Sequence, residues 1–142
     1  MRNSLKISII IAFIAIAIFI YVLPYVSMTF TGSAHYTERD KREYSFFTPE
    51  IFKKIPRITN DYDFSFANIT GPSALVYAIN FYGTDNTSLI DNYLKSIGYK
   101  KQPTCDIDAE CWENVTSEQI TVSLFEKEKR VSVQLYISSY MK

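Results

Sequence analysis

The sequence predicts an α+β protein: an N-terminal transmembrane helix, then a small antiparallel sheet of four to five strands packed on one or two helices. Three observations predict it. Residues 7–26, ISIIIAFIAIAIFIYVLPYV, form an uncharged apolar run. Within residues 62–81 and 120–137 large apolar side chains recur at every second position, the strand signature, and the 120–137 pair alternates them with polar ones, the mark of a sheet with one wet face. Between them, residues 86–98 switch to helical spacing.

The first element is the apolar run. At about 1.5 Å per residue, roughly 20 residues in a helix cross a hydrocarbon layer of about 30 Å. The segment is apolar all round, which does not suit the core helix of a small domain. Tyr21, Tyr25 and Phe30 lie near its far end, where aromatic rings favour a membrane interface. Pro24 is close to that end, where a missing amide disturbs few hydrogen bonds. Gly32 and Ala34 offer small residues to a signal peptidase, but the apolar run is longer than a signal core, which favours an uncleaved anchor. Arg2 and Lys6 precede the run with no acid before residue 38. Short basic N-termini stay in the cytoplasm, so the rest of the chain is expected outside.

The domain organisation expected is therefore a cytoplasmic tip at 1–6, an anchor at 7–26, a stalk at 27–47 and an exported α+β domain at 48–142. The stalk reading rests on HYTERDKREY, which is polar, mixed in sign and without an apolar face. In FTPEIFKKIPRI, Thr48 can cap a short helix, Pro49 suits its first turn, and Pro56 ends it. Tyr62, Phe64 and Phe66 mark one strand and Leu75, Tyr77, Ile79 and Phe81 the next, with Gly71-Pro72 as the turn. Leu89, Ile90, Tyr93, Leu94 and Ile97 form the apolar face of a helix capped by Asn86 or Ser88 and ended by Gly98. Residues 100–117 read as a polar connection with a short strand at its start. Ile120, Val122 and Leu124, then Val131, Val133, Leu135 and Ile137, form a hairpin around the charged turn EKEK. Its apolar face needs a cover, and the 89–97 helix supplies one.

The chain has 15 basic and 15 acidic residues. No basic stripe stands out, so no nucleic-acid partner is expected. Ile, Asn, Lys, Tyr and Phe are abundant; their codons are AT-rich, which fits a mobile or plasmid-borne gene. The two cysteines, Cys105 and Cys111, bracket the loop CDIDAEC. In an exported domain, two cysteines with none left over should form a disulfide. No metal or other cofactor is expected. Zinc lacks ligands, since His35 is the lone histidine, and the spacing is not that of a thioredoxin centre. Asp106, Asp108 and Glu110 alternate as oxygen donors but lack the glycine and terminal acid of an EF-hand loop. A hydrolytic triad would need His35, which sits in the expected stalk, and no nucleophile-elbow, phosphate-loop or zinc-protease motif occurs. No catalytic residue is assigned, and no enzyme is expected. Sequons stand at Asn68, Asn86 and Asn114, which matter if the chain is a eukaryotic or viral surface glycoprotein.

A short tip, one anchor, a stalk and a small stapled domain suit a tethered binder. That plan resembles the membrane-anchored periplasmic immunity proteins that protect against bacteriocins of the colicin M and pesticin type. The resemblance lies in size, anchor and cysteine usage. It implies a protein at the bacterial inner membrane, single-pass, with its domain in the periplasm and a protein toxin as partner. An accessory subunit of an envelope complex shares the same plan, with an envelope protein as partner. The candidate contact residues are Asp106, Asp108, Glu110 and Trp112. Trp112 is either an aromatic interface anchor or core packed on the disulfide.

Overall fold

The computed structural model describes residues 2–71, 73–116 and 118–138. The chain divides into two compact units, Met1–Thr31 and Gly32–Lys142. The first is a single helix, α1 (Arg2–Thr29), which extends past both expected ends of the apolar run. The most apolar part of its stretch Ser4–Thr29 has a mean hydropathy of 2.8 and no buried residue, and the stretch is long and apolar enough to cross a membrane. Beyond Pro24 the helix is supported by hydroxyls: Thr29 donates to the Tyr25 carbonyl and Thr31 to that of Ser27.

The second unit is an α+β domain. Its strands are β1 (Ser33–Tyr36), β2 (Tyr62–Ile69), β3 (Ala74–Tyr82), β4 (Lys100–Lys101), β5 (Glu110–Glu113), β6 (Gln119–Phe125) and β7 (Arg130–Ser138). They form one sheet in the order β1-β2-β3-β7-β6-β5-β4, with every pairing antiparallel. Among the described residues three α-helices join them: α2 (Lys41–Phe47), α3 (Glu50–Lys54) and α4 (Ser88–Ser96).

The sheet exceeds the four to five strands expected, and the excess comes from short strands. β1 lies in the region read as a stalk, and β5 in the region read as a polar connection. Four residues are too few to display a period of two. The expected stalk over 27–47 is therefore corrected: from Gly32 onward the chain belongs to the folded unit. Tyr36 is buried and stacks on Phe64, with ring centroids 5.7 Å apart. In α2, Tyr44 meets Phe64 edge-on at 5.3 Å and Phe47 stacks on Phe66 at 4.7 Å. The segment gives no folded signal in sequence because its apolar anchors, Tyr36, Tyr44 and Phe47, are spaced too widely to form one periodic face.

Register divides the sheet cleanly. Phe66, Tyr77, Leu135, Ile120 and Trp112 form one continuous row across five strands, and Phe64, Ile79, Val133 and Val122 form the next. These rows face the helices and make the core with Phe47, Phe52, Ile55, Ile90 and Leu94. The side chain of Tyr93 ties α4 to α3 through a 2.9 Å bond to the Ile51 carbonyl. Of the five apolar residues expected on this helix, Leu89 is 56 % exposed, so the buried stripe is narrower than the pattern. Gly98 has φ 92° and ends α4, while the Tyr99 amide bonds back to the Leu94 carbonyl. Of the Gly71-Pro72 turn, Pro72 lies outside the described residues; Ser73 there has φ 49°.

The opposite face is polar. Asp63, Asn80, Ser132 and Ser123 stand in one row across β2, β3, β7 and β6. No helix was expected there, and the strands carry no apolar stripe that would need one.

Candidate functional site

The cysteines flank a protrusion. Cys105 and Cys111 stand at disulfide distance, with their Cα atoms 5.4 Å apart. Cys111 is in β5 opposite Thr121, so the loop is fastened directly to the sheet. A bond from the Gln102 amide to the Cys111 carbonyl, 2.8 Å, closes its base, and one from Ala109 to the Ile107 carbonyl tightens its tip. Asp106, Ile107 and Asp108 are exposed. Ile107, at 56 % exposure, puts a bare apolar side chain between two carboxylates.

The structure separates the four candidate contact residues. Asp106 and Asp108 are on the tip. Glu110 is a strand residue at the margin of the core, where it pairs with Lys101, and its second carboxylate oxygen is buried without a hydrogen-bond partner among the described residues. Trp112 follows it on the same face of β5 and is 0 % exposed. The expectation of Trp112 as an interface anchor is thus corrected. A period of two places residue 112 on the helix-covered face in line with Ile120, and Lys95 and Lys101 lie 5.9 Å from its ring. The apolar anchor on offer is Ile107, which has no signal in sequence because a lone isoleucine among acids shows no periodicity.

The loop does not act alone. Between it and the β6–β7 turn lies an open recess of about 700 Å³, lined by Asp108, Ala109, Glu110, Val122, Leu124, Phe125 and the turn residues Glu126, Lys127 and Glu128. The turn is a short 3-10 helix over Glu126–Glu128, closed by Lys129 at φ 45°. Arg130 lies 3.9 Å over the Phe125 ring and bonds Glu128 at 3.0 Å. Glu110 and Glu128 are thus compensated, while Asp108 and Glu126 have no ion pair among the described residues. The EKEK turn was legible as a turn; that it would face the stapled loop depends on the β5–β6 register, which no local pattern announces.

Nearby, Asp91 on α4 has its carboxyl pushed up from the ordinary aspartate range, first by burial and then by the neighbouring Glu110.

The polar sheet face holds a second cluster. His35, expected in a stalk, is on β1 with its Nε2 3.3 Å from Asp63 Oδ2. Asp63 also accepts bonds from Asn80 at 2.9 Å and the Tyr82 hydroxyl at 2.8 Å. That bond and burial, with burial the larger cause, push the Tyr82 phenol up to about 12. Ser132 donates to Asn80 at 2.8 Å rather than to His35. The cluster is thus a row of mutually bonded groups across the sheet, and among the described residues no hydroxyl is bonded to His35. Among the described residues, no three of His, Cys, Asp and Glu converge as a metal-ligand set. Two of the sequons have local structural work: Asn86 and Asn114 accept bonds from Ser88 and Thr116, two residues on, as Asx turns.

Compared with known protein families, curated proteins and solved structures, the chain finds no match in any of the three.

Proposed function

We propose that this chain is a membrane-anchored, non-catalytic immunity protein, which binds a cell-wall-attacking protein toxin in the bacterial periplasm and neutralises it stoichiometrically. The observation that carries the reading is the loop. Seven residues closed by a cysteine pair hold Asp106, Ile107 and Asp108 out from a folded sheet. A blocking protein needs a protruding surface that loses little entropy on binding more than it needs reactive groups. The apolar tip supplies contact area, and its acidic flanks favour encounter with a basic face. The cysteine pair fits an oxidising compartment, and α1 fits a tether that keeps the binder where cell-wall precursors emerge.

A second reading is an accessory subunit of an envelope complex, which the same tether and protruding loop would also suit. Expression in a sensitive strain, challenged with toxins encoded beside the gene, tests the first reading. Protected cells and a one-to-one complex are expected. Unprotected cells, with the protein instead co-purifying in stable proportion with envelope components, would move the second reading ahead.

A further inference from the structure

β5 begins only at Glu110, paired with Val122, while β6 runs on to Phe125. Ser123–Phe125 therefore have β7 on one side and, among the described residues, no strand on the other. What lies there is the recess. Natural sheets blunt such edges with charge, a bulge or a covering element, because unpaired amides and carbonyls template another strand. Here the open edge has an apolar floor: Leu124 is 41 % exposed and Phe125 39 %. The two side chains point to opposite faces, so a strand laid alongside would meet one on each face.

We propose that the Ser123–Phe125 edge takes up an extended lysine- or arginine-bearing segment of the partner protein as an added strand, continuing the sheet where β5 stops. This rests on the protein-binding reading above and adds the mode of binding and the charge of what is bound. At about 3.3 Å per residue, three edge residues span about 10 Å, enough to register a short segment by main-chain bonds. Charge selects its composition. Four carboxylates line the recess against one cation, Lys127. With Glu110 and Glu128 already held by Lys101 and Arg130, the site still offers Asp108 on one wall and Glu126 on the other. A cationic side chain entering between them is attracted by both, and an anionic one is repelled by both.

The test uses the full chain in detergent micelles and two short synthetic peptides, one alternating threonine with lysine and one alternating threonine with glutamate. Amide exchange is followed by NMR. The lysine peptide is expected to slow exchange of the outward-facing amides within Ser123–Phe125, with an affinity that falls as salt is raised; the glutamate peptide is expected to do neither. The double substitution Asp108→Lys with Glu126→Lys should weaken the lysine peptide by on the order of tenfold. Equal protection by both peptides, protection elsewhere than this edge, or affinity independent of salt and of the double substitution would each overturn the proposal. No toxin enters these measurements, so the edge can fail while cell protection stands, and protection can fail while the edge binds.

Discussion

Removing both cysteines, by Cys105→Ala with Cys111→Ala, should cost the domain about 2–3 kcal/mol. The magnitude follows from the loop. A closed ring of seven residues removes roughly 2.4 kcal/mol of chain entropy from the unfolded state at 25 °C. Cys111 is also buried, so truncating its side chain adds a fraction of the ~0.8 kcal/mol that one buried methylene contributes. In a unit of roughly 110 residues, with an unfolding entropy near 2.1 cal/mol/K per residue, 2.4 kcal/mol lowers Tm by about 10 °C. Trp112 is the lone tryptophan and is fully buried, so its fluorescence reports unfolding without a label. Urea titrations of the full chain in micelles, oxidised and with dithiothreitol, give the comparison. Reductant should shift the wild type toward the double variant and leave the variant where it is. A wild type whose native thiols alkylate freely, or a variant within about 0.5 kcal/mol of it, would refute the staple as a source of stability.

Trp112→Ala, which removes the fluorescent reporter, should destabilise the domain by about 3–5 kcal/mol in urea titrations followed by circular dichroism, the cost of emptying a large core site; a loss below about 1 kcal/mol would return Trp112 to the surface. Asp91→Asn should stabilise at neutral pH. Its folded carboxyl titrates above the unfolded one, so the folded state binds the extra proton, stability falls as pH rises through that window, and the neutral amide escapes the penalty. Chemical denaturation at pH 7 and again at about pH 3, below the unfolded pKa, should show the gain at the first and not at the second. Alkaline phosphatase fused after residue 142 should be active in a bacterial host and green fluorescent protein fused there dark; the reverse pair would place the domain in the cytoplasm.

How much of this was legible depended on length and periodicity. α1 announces itself by composition. β2, β3, β6 and β7 carry seven to nine residues each, enough for alternation to show, and their register places Phe64, Ile79, Val133 and Val122 in one row as the pattern implies. β1 and β5 are four residues long, and each takes its place from tertiary pairing: β1 through Tyr36, β5 through Trp112. The acids at 106 and 108 were readable as an exposed loop because two cysteines frame them. Glu110 was grouped with them by spacing, whereas the strand begins at that residue and turns it toward Lys101. The recess could not be read at all, since its walls are separated by some fifteen residues of chain and meet only through the β5–β6 ladder.

The staple and the open edge are two consequences of one piece of geometry. Continuing the β5–β6 register past Glu110↔Val122 would set Ala109 opposite Ser123, Asp108 opposite Leu124 and Ile107 opposite Phe125. The chain could thus cover its own edge, as most sheets do. It does not, because Cys105 is held within 5.4 Å of Cys111, Cα to Cα, whereas six residues of extended strand would carry it about 20 Å away. The tie forces the backbone to double back just where β5 could have lengthened. Sequence chemistry acts in the same direction: a self-paired Asp108 would share the helix-side face with Leu124 and with Glu110, whose buried oxygen already lacks a partner among the described residues. Moving a second carboxylate against it costs desolvation and like-charge repulsion together. The loop is therefore kept off the edge by a covalent bond and by charge, and the same charge favours a cationic strand from elsewhere.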